Sequence, residues 1–312
     1  MSKVLVVFGA TGNQGSSVIH HVINDPELSK LYTIRAVTRD SSSSKAVTLK
    51  SQGIQVVAGD PYDKTSLEGV FRGAHTVFAM TTSSYDGSSH GELRAGKDLV
   101  DAAIAQGVEY YIWSTLPSPQ AISEGKYTKV VGFDDKSSVE DYIRSKSELK
   151  SAFFAPGSFM QNYATIMQPQ PSYDNDGTFV ITRPVAPSAK LPLVDIAGDT
   201  GKFVASILVE PEKYQGKRFA GATKLYTMEE QASIISKATN KTVKYVQAPA
   251  DVYRSFLPPV LQDELVEMMQ FQEEFGYYGA DTEAEVAWSV EHARGTPSTF
   301  EEYLRCNPLT FA

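Results

Sequence analysis

Glycines at positions 9, 12 and 15 stand directly behind the apolar run Val4-Leu5-Val6-Val7-Phe8 and directly ahead of a helical pattern. No other feature of the chain restricts its fold so strongly. A strand that feeds a glycine loop and then a helix lets the backbone approach an anion at the helix N-terminus, where unpaired N–H groups and the helix dipole favour negative charge. Tight turns also use glycine, but the strand, loop and helix in this order make a dinucleotide pyrophosphate the expected occupant.

The first half of the chain continues in the same manner, alternating short β-branched runs with helical patterns, which is the signature of a parallel sheet with helices on both faces. Strands are expected at 4–8, 33–38, 54–58, 76–80 and 110–114, and helices near 16–24, 45–52, 65–71 and 91–106. The rhythm changes after Pro156, where Pro169, Pro171, Pro184, Pro187 and Pro192 interrupt the chain and Asn175-Asp176-Gly177 reads as a turn. Helices are expected again at 195–209, 227–238, 250–256 and 259–275. The predicted fold is therefore α/β: a Rossmann-type doubly wound parallel sheet over residues 1–160 with a returning segment near 193–210, and a smaller, mostly helical C-terminal lobe over 161–312 that holds a substrate or partner.

A net charge of −8 disfavours attraction to phosphate backbones, so direct nucleic-acid binding is not expected. One cysteine, Cys306, forms no internal disulfide and no metal-ligand spacing. The apolar run after Met1-Ser2-Lys3 is too short for a signal-peptide core, and no stretch approaches the roughly 20 apolar residues that cross a bilayer. These features point to a cytoplasmic or nuclear protein without a membrane partner.

The end of the second strand decides between cofactors. An Asp or Glu there accepts hydrogen bonds from the ribose 2′-hydroxyl of NAD, whereas the 2′-phosphate of NADP wants a cation. This chain offers Arg39, with Thr38, the tract Ser41-Ser42-Ser43-Ser44 and Lys45 around it, which favours NADP; Asp40 beside it keeps NAD open. Asp60, with Pro61 beside it, follows the third strand, where a carboxylate reaches an adenine amino group or else caps a turn. Thr81 and Thr82 end the fourth strand, at the edge where ligands of open α/β sheets bind.

The glycine spacing G-x-x-G-x-x-G is that of short-chain-dehydrogenase-like folds. Together with Arg35-Ala36-Val37-Thr38-Arg39, Val56-Val57-Ala58-Gly59-Asp60, Gly132-Phe133-Asp134-Asp135-Lys136 and the segment from Ala155 to Asn162, it resembles the NmrA-like family of atypical short-chain dehydrogenases, related to isoflavone-reductase-like enzymes. The resemblance implies NADP(H) contacts from Gly9, Thr11, Gly12, Asn13, Gln14 and Gly15 of the loop, and from Arg39, Asp60, Pro61, Thr81, Thr82, Arg94 and Lys136. It adds Ser158, Phe159 and Asn162 from the later segment.

Short-chain dehydrogenases move a proton with Tyr-x-x-x-Lys, in which the lysine holds the nicotinamide ribose and lowers the tyrosine pKa. The literal match is Tyr142-Ile143-Arg144-Ser145-Lys146. In a doubly wound domain, however, helix N-termini lie at the carboxyl edge with the cofactor, and the helix expected to begin near Asp134 puts Lys146 about 15 Å beyond Lys136 at 1.5 Å per residue. Lys136, in the expected first turn, is the better placed residue. A cation there opposes the helix dipole and needs compensation, from Asp134 and Asp135 or from a ligand. The residue four before it is Gly132, so the usual tyrosine is missing.

Two functions follow. One is an NADPH-dependent oxidoreductase acting on a small organic carbonyl, imine or enone, in which the resemblance gives Lys136 the acid/base role, assisted by Ser114 or Tyr127. The other is a catalytically silent NADP(H) redox sensor that holds a protein partner such as a transcription factor. Trp113, Phe154, Phe159, Met160 and Tyr163 either line an apolar cleft or fill the core. The acidic stretch from Asp263 to Glu274 is expected to form one solvated helix face, with a partner contact as the alternative.

Overall fold

The computed structural model describes residues 2–67, 69–82, 91–174 and 176–311. Its centre is a seven-stranded sheet built from β1 (Lys3–Val7), β2 (Tyr32–Thr38), β3 (Gln55–Ala58), β4 (Thr76–Ala79), β5 (Tyr110–Ser114), β6 (Lys150–Pro156) and a strand from far down the chain, Arg218–Gly221. All neighbours pair in parallel, and β1 lies between β4 and β2. The chain therefore reverses its direction of sheet growth between β1 and β4, and that reversal opens a crevice at the carboxyl edge.

Helices α1 (Asn13–Asn24), α2 (Leu28–Leu31), α3 (Ser44–Ser51), α4 (Gly91–Ala105), α5 (Pro119–Ile122) and α6 (Val131–Arg144) connect these strands. Side chains of a strand alternate between faces, and β5 shows the result: Tyr110 and Ile112 pack with Val18, Ile19 and Val22 of α1, whereas Tyr111 and Trp113 pack with Leu99 and Val100 of α4 and Val139 and Ile143 of α6. Both faces are dry, which explains why the strands read as continuous apolar runs.

After β6 the chain makes β7 (Ser158–Phe159), β8 (Gln170–Pro171), β9 (Phe179–Arg183) and β10 (Lys190–Val194), then α7 (Ile196–Val209). Asp195 caps α7 by accepting from the Gly198 N–H at 3.0 Å. Helix α7 packs against α1, and its Phe203 lies fully buried between Phe154 of β6 and Phe219 of the seventh strand. That strand is β11; β12 (Lys224–Thr227), α8 (Met228–Thr239), β13 (Val243–Gln247), α9 (Ala250–Ser255), α10 (Gln262–Phe275), α11 (Thr282–Glu291) and α12 (Phe300–Cys306) complete the chain. Helices α8 and α12 each open with a full capping box, Thr227 with Glu230 and Thr299 with Glu302. Two small three-stranded sheets, β12-β10-β7 and β13-β9-β8, accompany the C-terminal helices.

Several boundaries differ from the sequence expectation. Strands β6 and β11 are additions, α6 begins at Val131 instead of near Asp134, and the pattern at 65–71 forms a 3₁₀ turn over Lys64–Leu67. Glu68 of that pattern and Asn175 of the expected turn lie outside the described residues.

Because Phe203 is held by rings from two strands of the large sheet, Phe203→Ala is expected to lower unfolding stability by about 3–5 kcal/mol. Urea titration is the measurement: the midpoint should fall with an unchanged slope, and a loss below about 1 kcal/mol would show that α7 is not part of that core.

Candidate functional site

The glycine loop follows β1 at the carboxyl edge. Gly9 has φ +61°, a left-handed conformation, and a Cβ there would sit 2.8 Å from Met80 Sδ. At Gly15 a Cβ would lie 2.4 Å from the Gly9 carbonyl oxygen, so only glycine lets α1 start this close to the strand. Gly12 is the N-cap of α1 with no side-chain capping bond, and the first turn carries no acidic residue. Its leading N–H groups are thus presented to an external anion.

Around the end of β2, Lys45 Nζ donates to the Thr11 carbonyl at 3.1 Å, and the Thr11 and Thr38 hydroxyls stand 3.4 Å apart. Arg39 is exposed. Asp40 faces its own loop: its Oδ1 accepts from the Ser42 N–H at 2.8 Å and the Ser42 hydroxyl at 2.5 Å. Those two bonds hold its carboxyl below the ordinary range. The serine tract therefore holds the Asp40 carboxylate within its own loop. Ser43 also caps α3.

After β3, Asp60 Oδ1 accepts from the Tyr62 N–H at 3.0 Å, and the Tyr62 hydroxyl donates to the Thr82 carbonyl at 2.6 Å. Tyr62 thereby bridges the loops that follow β3 and β4, and burial, with the negative charges of Glu92 and Asp60, pushes its pKa up to about 12. Pro61 lies in this bridge, half-buried.

Lys136 occupies the second turn of α6, because the helix starts earlier than the sequence suggested, and only 9% of its side chain is exposed. Its ammonium donates to the Thr81 carbonyl at 2.9 Å, to the Thr81 hydroxyl at 3.1 Å and to Glu92 Oε1. The Thr81 hydroxyl in turn donates to the same Glu92 oxygen at 2.6 Å. Compensation for the buried cation thus comes from Glu92 in the first turn of α4. Asp134 instead accepts from the Ser118 hydroxyl at 2.6 Å and the Gln120 N–H at 3.2 Å. Trp113 fixes the other end of Lys136, donating from Nε1 to its carbonyl at 3.1 Å while its ring lies 5.8 Å from Nζ.

Ser114, at the end of β5, donates to Gln14 Oε1 at 2.8 Å and so ties this strand to the glycine loop. Tyr127 stands apart from that cluster. Its hydroxyl donates to Glu274 of α10 at 2.8 Å, and its ring packs edge-on against Phe271 and Phe275. Burial and Glu274 raise its pKa far above the ordinary phenol value. Arg94 points outward with 85% of its side chain exposed, 3.7 Å from Asp98. Ser158 and Phe159 pair with Leu193 and Val194, and the Asn162 carbonyl accepts from the Thr165 and Met167 N–H groups at 3.0 and 2.8 Å.

Tyr142 and Lys146 meet at the other end of α6. Lys146 Nζ lies 4.1 Å from the Tyr142 ring centroid, and the Tyr142 hydroxyl donates to Asp101 at 2.7 Å. Of the five aromatic or sulfur residues weighed as cleft lining, Trp113, Phe154, Met160 and Tyr163 are fully buried core, and only Phe159 is half-buried. Among the described residues no His, Cys, Asp and Glu cluster suits a metal ion, and no helix is long and apolar enough to cross a membrane.

Sequence reasoning missed Glu92 and the carboxylates of α10. Glu267 Oε2 accepts from the Thr128 and Lys129 N–H groups, both at 2.8 Å. Glu274 accepts from Tyr127 and from Lys126 Nζ, and Glu264 lies about one turn ahead of Glu267 on the same helix. These three glutamates recur at spacings of three and seven, one stripe of a helix, so the acidic face is a clamp on the segment leading into α6.

The family model for the NmrA-like family matches residues 1–304. This chain belongs to the NmrA-like family. It is 30% identical to an NmrA-like family domain-containing protein of Dictyostelium discoideum over 318 residues, covering 98% of each chain. It is also 30% identical to an NmrA-like family domain-containing oxidoreductase of Aspergillus campestris over 282 residues, 84% of this chain and 81% of that protein. The fold matches a crystal structure of NmrA, a negative transcriptional regulator, in complex with NADP, with a TM-score of 0.78 and 24% identity over 97% of this chain and 94% of the other.

Removing one member of a buried ion pair strands the other charge. Lys136→Met is expected to cost about 3–5 kcal/mol of stability, whereas the double variant Glu92→Leu/Lys136→Met recovers most of it. Equal losses in the single and double variants would show that the pair is not coupled.

Proposed function

We propose that this NmrA-like protein binds NADP(H) and reduces a small organic carbonyl, imine or enone. The observation that carries the reading is the buried Lys136 ammonium at the carboxyl edge, fixed by Thr81 and Glu92 beside a strand that Ser114 ties to the glycine loop.

The residues present fit the cofactor. The N-terminus of α1, with glycines where a Cβ would strike backbone, holds the pyrophosphate. Arg39 and Lys45 hold the 2′-phosphate, while Ser42 turns the Asp40 carboxylate toward its own loop. Asp60 and Tyr62 border the adenine end, and Lys136 with Thr81 holds the nicotinamide ribose. When bound, the dihydronicotinamide supplies a hydride. Lys136 places a positive charge where a substrate oxygen becomes negative, and Trp113 and Glu92 keep it from moving. The name of the Aspergillus relative and the NADP complex of the structural neighbour support this reading.

A second reading, a cofactor-binding regulator of a protein partner, is favoured by one observation: the ammonium of Lys136 and the hydroxyls of Ser114 and Tyr127 all donate to protein acceptors. Turnover separates the two. NADPH consumption with an aromatic ketone or enone supports the reductase, and tight binding with no consumption across such a panel rejects it.

The 2′-phosphate assignment has its own measurement. Losing a charged hydrogen bond of about 1.5–3 kcal/mol, Arg39→Ala should weaken NADPH binding roughly 10- to 100-fold while changing NADH binding little. Calorimetric titration showing equal losses for both would reject the assignment.

A further inference from the structure

A lysine ammonium has three N–H donors, and those of Lys136 meet the Thr81 carbonyl at 2.9 Å, the Thr81 hydroxyl at 3.1 Å and Glu92 Oε1. Where the ammonium stands is therefore decided by where those oxygens stand, and Thr81 supplies two of them. Thr81 and Thr82 lie beyond Ala79, the last residue of β4 that pairs with a neighbouring strand. The sheet ladder does not set the direction of their carbonyls. A contact from outside the ladder does.

We infer that Tyr62 is a positioning residue for Lys136, a strut that runs from the loop after β3 to the Thr82 carbonyl and fixes the backbone on which the ammonium rests. The Tyr62 hydroxyl donates to the Thr82 carbonyl at 2.6 Å, and Lys136 donates to the Thr81 carbonyl just before it. These carbonyls belong to consecutive planar peptide groups that meet at the Thr82 Cα. With both pinned, the φ and ψ between them have little freedom. The consequence for catalysis rests on the reductase reading above, whereas the strut itself stands on these hydrogen bonds.

A strut needs a firm base, and the loop after β3 is tied to itself. Asp60 Oδ1 accepts from the Tyr62 N–H at 3.0 Å, the Ser66 hydroxyl accepts from the Asp60 N–H at 2.8 Å, and the Asp60 carbonyl accepts from the Asp63 N–H at 3.0 Å. The Gly59 N–H anchors the loop to β2 by donating to the Thr38 carbonyl at 3.0 Å. The loop also reaches α4, the helix that presents Glu92, where Lys64 Nζ donates to Asp98 Oδ1 at 2.8 Å. Both residues that accept from Lys136, Thr81 and Glu92, are thus braced from the loop that borders the adenine end of the site. The phenol stays a donor through the neutral range, because burial and the charges of Glu92 and Asp60 push its pKa up to about 12. A shift of the adenine-end loop is in this way transmitted to the ammonium at the nicotinamide end.

Tyr62→Phe keeps the ring and removes only the hydroxyl. With saturating NADPH and an aromatic ketone, kcat should fall roughly 3- to 10-fold, the worth of one hydrogen bond, while the KM for NADPH stays within about twofold. Reduced nicotinamide mononucleotide, which lacks the adenosine half, should show the same fold loss in kcat/KM, because a strut acts whether or not an adenine is present. Independently of turnover, ¹H–¹⁵N spectra of lysine-labelled protein without cofactor should hold a slowly exchanging ammonium resonance that is absent from Glu92→Leu/Lys136→Met. That resonance should shift or broaden in Tyr62→Phe and stay in place in Tyr142→Phe, which removes a phenol paired with Asp101 at the far end of α6. A resonance unmoved by Tyr62→Phe, an unchanged kcat, or a loss confined to NADPH with a raised KM would overturn the strut while leaving the reductase intact. A wild type that reduces no acceptor overturns the reductase reading, and the ammonium resonance then decides the strut by itself.

Discussion

A sheet whose strands all run the same way must be covered on both faces and must return every connection to the same edge. From that constraint the rest of the molecule follows. Helices α1 and α7 seal one face and α4 and α6 the other. Each crossover then delivers a loop or helix N-terminus to the carboxyl edge: the glycine loop after β1, Arg39 after β2, Asp60 after β3, Thr81 after β4 and Ser114 after β5. Residues scattered over more than a hundred positions share one crevice because the topology leaves their strand ends nowhere else to go.

Within that crevice charge is managed by pairing. A lysine buried in the second turn of a helix is unfavourable from solvation and from the helix dipole, yet Lys136 is held by a glutamate at the start of α4, where a negative charge is favoured. A favourably placed charge on α4 thus offsets an unfavourably placed one on α6. Tyr127 and the α10 glutamates repeat the logic, with carboxylates satisfying backbone N–H groups ahead of α6 that lack helical partners.

Local signals made much of this readable in the sequence. Strand, glycine loop and helix are contiguous, so a nucleotide-binding loop was visible in residues 4–24, whereas α12, which opens with a capping box, was not anticipated. The direction of α6 could also be inferred, and it puts Lys136 and Lys146 toward opposite ends because helix direction follows from topology alone. What escaped was non-local. Strand β6 carries Phe153 and Phe154 to opposite faces and shows no periodicity distinct from a buried helix, and β11 pairs with it across a long excursion. Glu92 looked like any surface acid near a helix start. Glu267 of α10 looked solvated because its partners, the N–H groups of residues 128 and 129, leave no trace in side-chain pattern.

The late arrival of β11 also governs how the chain is made. Strand β6 ends at Pro156, and its edge partner begins at Arg218, 62 residues later. At a synthesis rate of roughly 5–20 residues per second, the Ala-Phe-Phe-Ala edge of β6 waits about 3–12 s without a neighbour. During that interval α7, which covers the same rings, is also unfinished or newly made. A nascent chain of the first 160 residues therefore presents an open, apolar strand edge of the kind that invites association with other chains. Completion of the nucleotide-binding sheet therefore waits until β7 to β10 and α7 have been made.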